Sequence, residues 1–332
     1  MGSNNKTKGC TALNDFGNNL LKQFGLYGRA VKERGKFFCK TDFGMAKIYK
    51  TYEGQQAVKN RQALLAKLGE AGFTQTDALP GALVPCVQAG RELYAIARDI
   101  KGRVLDLNQP EDIYLGIEAI GALHRAGRGG DFKLHSTAPL LGDTFEKNTA
   151  FLIKCAKDIG KMKKLSDLDI LLMRNLPKYI DMCHQATKML NRTQHITLHQ
   201  EAVANHHVCH NILREDNLHI ADGVCYITNF NWVSTGLQLL DFAEFLRRYA
   251  RRSNQEIPLE DLVAAYGDIC PLPPTGAEII HAYLAHPWQF VKVTQHYFSK
   301  KRSWVQSGII GKMERALEEQ DGYDKYVQVN FT

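Results

Sequence analysis

The chain of 332 residues is poor in the features that place a protein quickly. Its eight cysteines, at positions 10, 39, 86, 155, 183, 209, 225 and 270, include no C-x-x-C pair and no tight cluster. That spacing argues against a disulfide framework and a ribbon-type zinc site, and fits a reduced, intracellular setting. No apolar run is long enough to span a bilayer, and the N-terminus MGSNNKTKGC is too polar for a signal peptide. Gly2 opens what looks like a myristoylation signal, but Lys6 stands where Ser or Thr is required. Neither sign of charge is in large excess: 42 Lys and Arg against 35 Asp and Glu leave +7. The basic residues are scattered, apart from Arg247, Arg248, Arg251 and Arg252 and the run Lys300-Lys301-Arg302. An anionic partner surface stays open, but solvated helix faces are the preferred reading, and nucleic acid is not an expected partner.

The residues that carry information are organised around positions 207 to 248. In phosphotransferases of the kinase type a loop H-x-D-x-x-x-x-N presents an Asp to the attacking hydroxyl and an Asn to magnesium. A second Asp after the next strand bridges metal and phosphates. Here His210 is followed by Asn217, and Asp222-Gly223 is a hairpin signal between two short strands at 218–220 and 224–227. The frame lacks both carboxylates. Ile212 takes the place of the proton-accepting Asp, and Asn229 that of the metal-bridging one, where a hard cation prefers a carboxylate. A second alignment places His206 at the base position, but it needs an insertion before Asn229. The first keeps the hairpin spacing and is preferred; neither restores an Asp.

Around this stretch the length suggests two lobes or one large domain. Residues 1–27 read as a polar or weakly helical tail. Residues 28–100 read as a lobe of antiparallel strands with one helix near 55–69, and residues 101–332 as a helical lobe. Asp42-Phe43-Gly44 spells a kinase metal motif, but it lies upstream of the loop and is expected to be a hairpin turn. Lys47 and Lys50, on a strand, are the candidates for contacting nucleotide phosphates; Lys59 occupies the helix position where a partner Glu would stand. Asp99 to Arg103 is the expected connection between the lobes. Pro110 starts a helix with Ile113, Ile117, Ile120 and His124 on one face, where His124 is expected to pack or cap. Asp241 opens a further helix, where it can accept backbone N–H bonds, a structural role. Thr275-Gly276-Ala277-Glu278 has the form of a capping box. Gly308-Ile309-Ile310-Gly311-Lys312 has the wrong spacing for a phosphate loop.

Several motifs in order carry a resemblance. They are Glu33-Arg34-Gly35 with the hairpin at Thr41 to Gly44, Gly102 to Asp106, Ala122-Leu123-His124, and Cys209-His210 with Asn217. Asp222-Gly223, Asn229-Phe230 and Asp241 to Arg248 come next, then His286-Pro287-Trp288-Gln289-Phe290-Val291-Lys292 with Tyr297 and Trp304. Over about residues 30 to 320 the chain resembles the CotS-type spore coat proteins, relatives of aminoglycoside phosphotransferases and choline kinases. The resemblance implies an α+β, bilobal protein-kinase-like fold with a small β-rich N-terminal lobe and a larger, mostly helical C-terminal lobe. It implies a place in the coat of bacterial endospores, other coat proteins as partners, and synthesis in the mother-cell cytoplasm before deposition on the spore. An Asn in place of the second Asp is not unusual in that family. With both carboxylates gone, a structural pseudokinase is the leading expectation, ATP and Mg2+ being weakly bound or lost. An active phosphotransferase using Asn217, Asn229 and a strand Lys is the alternative. A zinc site is a third reading, because His195, His199, His206, His207, His210 and His219 crowd one region with Cys209.

Overall fold

The computed structural model describes residues 15–299, except 131, 133, 135 and 136, together with 306–329. Gly2, Lys6, Cys10, Lys300-Lys301-Arg302 and Trp304 therefore lie outside the described residues. In chain order, helix α1 covers 15–23, followed by β1 (Val31–Glu33), β2 (Lys36–Thr41), β3 (Gly44–Thr51), α2 (Gln55–Glu70), β4 (Cys86–Ala89), β5 (Glu92–Arg98) and β6 (Arg103–Val104). Then come α3 (Pro110–Ala126), α4 (Leu141–Gly160), α5 (Asp167–Leu190), α6 (His195–Ala204) and β7 (Val208–Cys209). A short 3-10 turn, Glu215–Asn217, leads into β8 (Leu218–Ala221) and β9 (Val224–Ile227), then β10 (Ser234–Thr235) and α7 (Leu239–Arg252). The chain ends in α8 (Leu259–Ile269), α9 (Gly276–Ala285), α10 (Trp288–Ser299) and α11 (Gln306–Val329). Among the described residues no helix is long and apolar enough to cross a membrane.

Contacts divide the chain into two compact units, Met1–Leu105 with Glu215–Trp232, and Asp106–Arg214 with Val233–Thr332. In the first, five antiparallel strands run in the order β1-β2-β3-β5-β4. Period-two alternation sends successive side chains to opposite faces. Ala46 and Ile48 of β3 face a cluster with Phe37, Cys39 and Ile96, whereas Tyr49 packs with Val58 of α2 and Leu93 and Ala95. Within the segment read as a polar or weakly helical tail, the described residues from 15 on form a helix that packs on the sheet. There α1 contributes Leu20 and Leu21, and the turn that follows contributes Phe24, all fully buried, to the first cluster. Burying a side chain of this size contributes about 1.5–3 kcal/mol, enough to hold a short polar helix in place. Asp42-Phe43-Gly44 forms the β2–β3 turn, with Thr41 opposite Gly44. A second sheet, β6-β8-β9, carries the Asp222-Gly223 hairpin. Both turn residues have positive φ, 51° and 73°, the geometry of a type I′ turn, which favours this dipeptide.

In the second unit, α4, α5, α10 and α11 share one core. Tyr179 stacks on Phe290 with centroids 3.8 Å apart, amid Leu152, Leu172 and Met313. The N-terminus of α5 is closed by a capping box in which Ser166 and Asp169 exchange hydrogen bonds. The one expected at Thr275 does not form. Thr275 is left-handed, φ 57°, and makes no side-chain cap; instead its hydroxyl accepts from the Gln194 N–H at 3.1 Å. A residue held at positive φ cannot place its oxygen over the next turn as an N-cap does.

Candidate functional site

The second unit holds the loop around His210. Strand β7 pairs with β10, Cys209 opposite Ser234, and delivers the chain to a turn in which Asn211 has φ 67°. That turn is held from α7. Asp241, 5 % exposed, accepts the His210 N–H at 2.5 Å through Oδ2 and the Asn211 N–H at 2.7 Å through Oδ1. Two charge-assisted bonds from one buried carboxylate clamp the loop more tightly than a helix-end dipole contact does. Behind Asp241, His124 Nε2 lies 3.5 Å from Oδ2, and its Nδ1 is 2.8 Å from the Tyr266 hydroxyl. Gln238 joins α3 to β7 by donating to the carbonyls of His124 and Val208. His124 is thus a packed, buried residue.

His210 is fully buried and its Nδ1 accepts the Ile212 N–H at 3.3 Å, so the imidazole shapes the loop. Ile212 lines a cavity of about 390 Å³ together with Leu237, Leu240, Tyr283, Trp288 and Arg214. His206 lies elsewhere in the chain's path. It is exposed, with φ 53°, just past the end of α6. Burial pushes the neighbouring Cys209 thiol well above its ordinary pKa, and the Asp241 charge adds to the effect. It is therefore no nucleophile at neutral pH.

The first unit holds the β8–β9 hairpin and the residues just beyond it. Asn217 is buried at the end of the 3-10 turn, and its carbonyl accepts the Thr228 N–H at 2.9 Å. Asn229, at φ 67°, donates from Nδ2 to Asn217 Oδ1 at 3.2 Å. The two positions expected to grip a cation thus bond to each other. The two strand lysines also differ. Lys50 is paired with Glu92 at 2.5 Å and lies over the Tyr52 ring. Lys47 is the largest opposing charge on Asp77, whose pKa burial pushes up; Arg61 opposes that rise next.

Sequence reasoning missed Arg61. Lys59 is exposed, and it is Arg61, 9 % exposed, whose guanidinium meets the carboxylate of Glu53 and the side-chain oxygen of Asn231. The signal was available: Val58, Arg61, Leu64, Leu65 and Leu68 share the buried stripe of α2, and an arginine inside such a stripe is bound to have partners. Asp77 carried no comparable signal, because it lies in a loop with no periodicity. Among the described residues no three His, Cys, Asp or Glu side chains are placed to hold a metal ion. The histidine cluster disperses accordingly: His195 sits with Nδ1 3.1 Å from the Leu190 carbonyl, and burial lowers its pKa. His219 belongs to the other unit.

The family model described as "Spore coat putative kinase YutH" matches residues 108–329, about two thirds of the chain. The chain belongs to this family. No curated protein matches the sequence. The fold has solved counterparts. An aminoglycoside phosphotransferase from Alicyclobacillus acidocaldarius superposes with a TM-score of 0.77 at 13% identity, over 94% of each chain. Spectinomycin phosphotransferase APH(9)-Ia in its AMP-bound complex gives 0.59 at 10% identity, over 96% of this chain and 98% of that one. The same enzyme with ADP and spectinomycin gives 0.58 at 10% identity, over 96% and 97%. These likenesses establish a kinase-like phosphotransferase fold, as the resemblance implied. The YutH match establishes a spore coat kinase family.

Proposed function

We propose that this YutH-family chain is a pseudokinase of the spore coat, a structural and interaction protein that keeps a phosphotransferase frame without its chemistry. The observation that carries the reading is the bond from Asn229 to Asn217. Magnesium demands near-octahedral oxygen ligands and binds through carboxylates, and here two neutral amides satisfy one another. The guanidinium of Arg61, bonded to Asn231 two residues along from Asn229, puts a fixed cation beside that loop. These residues do not fit a magnesium ion. At the base position Ile212 cannot take a proton. Losing general-base catalysis alone costs about 10² to 10⁴ in rate, and losing the metal carboxylate removes the charge neutralisation that phosphoryl transfer depends on. Nucleotide, where it binds, meets Lys47, because Lys50 is tied to Glu92. The first loop alignment is the better one, because Ile212, not His206, sits in the turn that Asp241 clamps. Other coat proteins are the partners, and the mother-cell cytoplasm is the site of synthesis.

A second reading, an active phosphotransferase on a small hydroxylated substrate or a coat protein, is favoured by the intact Asp241 clamp and by Asp77, a carboxylate facing Lys47. One assay separates the two. Labelled ATP with magnesium should give no turnover above an Asn217→Ala control. Turnover that disappears in the control overturns the pseudokinase reading.

A further inference from the structure

The second unit carries a cavity of about 930 Å³ between α10, α11 and the end of α7. Residues far apart in sequence come together there. Lys292, His296 and Ser299 recur at i, i+4 and i+7 along α10, and Lys312, Arg315 and Glu319 at i, i+3 and i+7 along α11, spacings that place each set on one helix face. Arg251 and Arg252 close one end. The single carboxylate of the described lining, Glu319, is already taken by Arg251, whose Nε and Nη2 donate to it at 3.0 and 2.7 Å. Arg252, Lys292, Lys312 and Arg315 are exposed and leave the cavity strongly positive. Val293 and Ala316 give it an apolar floor, and Gln289 and Gln295 give it amide groups.

We propose that this cavity binds an acidic peptide segment, rich in Asp and Glu, of a partner protein. Its volume far exceeds a phosphate. Its lining runs over seven residues of each helix, roughly 10 Å at 1.5 Å per residue, the length of about three extended residues. Amides and an apolar floor suit a polypeptide backbone and its side-chain stems. The described lining holds no Phe, Tyr or Trp, so beyond His296 it offers unpaired bases little to stack on. Charge complementarity of this kind governs encounter and specificity more than raw affinity. The proposal does not depend on whether the chain transfers phosphate.

The test is fluorescence anisotropy of the full chain with a labelled peptide of about ten residues alternating Glu and Ser, the carboxylates then projecting to one side. Binding should be saturable and should weaken as salt rises. The variant Lys292→Glu/Lys312→Glu/Arg315→Glu changes exposed side chains only, and circular dichroism checks that it is folded. It should lose about tenfold to hundredfold in affinity, while Lys292→Arg/Lys312→Arg/Arg315→Lys should bind like the parent. The proposal fails if the parent does not bind the peptide, or if the charge-reversed variant binds equally well. It also fails if pyrophosphate or a thymidine oligonucleotide of equal charge displaces the peptide at lower concentration than unlabelled peptide does.

Discussion

Replacing Asp241 with Ala tests the part of the site that the structure defines best. The carboxylate is 5 % exposed and accepts two backbone N–H groups, those of His210 and Asn211, at 2.5 and 2.7 Å. Hydrogen bonds to a charged group contribute about 1.5–3 kcal/mol each, and a buried donor left without a partner adds its own desolvation cost. Truncation at Asp241 should therefore destabilise the second unit by about 3–5 kcal/mol. For a unit of roughly 200 residues, at about 2–4 °C per kcal/mol, the melting temperature should fall by on the order of 10 °C. Asp241→Asn, which keeps an acceptor oxygen without the charge, should lose about half as much. Hydrogen exchange supplies the local readout: the His210 and Asn211 amides should be protected in the parent and exchange rapidly in Asp241→Ala. A melting point within about 2 °C of the parent, with both amides still protected, would refute the clamp.

Three further outcomes concern other positions. Gly102→Ala places a Cβ 2.3 Å from the Ile220 carbonyl oxygen, which forces β6 away from β8; denaturant unfolding should show a loss of roughly 1–3 kcal/mol, whereas Gly90→Ala meets no neighbouring atom and pays only for its positive φ. Burial lowers the His286 pKa from 6.5 to about 3, so below pH 6.5 the unfolded chain takes up a proton that the folded one refuses; stability present above pH 6.5 should fall by up to about 1.4 kcal/mol per pH unit toward pH 3, and His286→Gln should flatten that acid limb in a series of melts. Ile212→Asp combined with Asn229→Asp returns both missing carboxylates, so it should gain magnesium-dependent thermal stabilisation by ATP that the parent lacks; identical nucleotide response in both proteins would show that the loss lies elsewhere.

How much of this was legible in the sequence depended on the range of the signal. The hairpin at Asp222-Gly223, the turn at Asp42-Phe43-Gly44 and the helix starting at Pro110 are written in a few adjacent residues, and the structure has each of them. Asp241 was legible as a structural residue, but not as the clamp of a loop 30 positions earlier, because its partners are backbone groups that no side-chain pattern marks. Thr275 misled for a related reason: the letters of a capping box say nothing of φ, which is 57° there. The tail's Leu20, Leu21 and Phe24 were visible but sat among Asn, Asp and Lys, and only the sheet they cover reveals their role. Arg251 and Arg252 stood out in the sequence as part of a basic run, but Lys292, Lys312 and Arg315 read as scattered because they join them only after the helices pack.

On the pseudokinase reading, the energetics explain how the frame persists without the chemistry. A protein of this kind has about 5–15 kcal/mol of net stability, and Asp241 with its two bonds accounts for a large share of what its unit can lose. Its role in folding is the same whether or not phosphate is transferred. Ile212 is different: half-buried in a loop, it carries little stability that an Asp there would forfeit. Asn217 and Asn229 meet in one bond at 3.2 Å, whereas an Asp at 229 would place an unbalanced negative charge beside Asn217 unless a cation were bound there. The loop frame held by Asp241 is therefore energetically separable from the side chains at 212 and 229, as the pseudokinase reading requires.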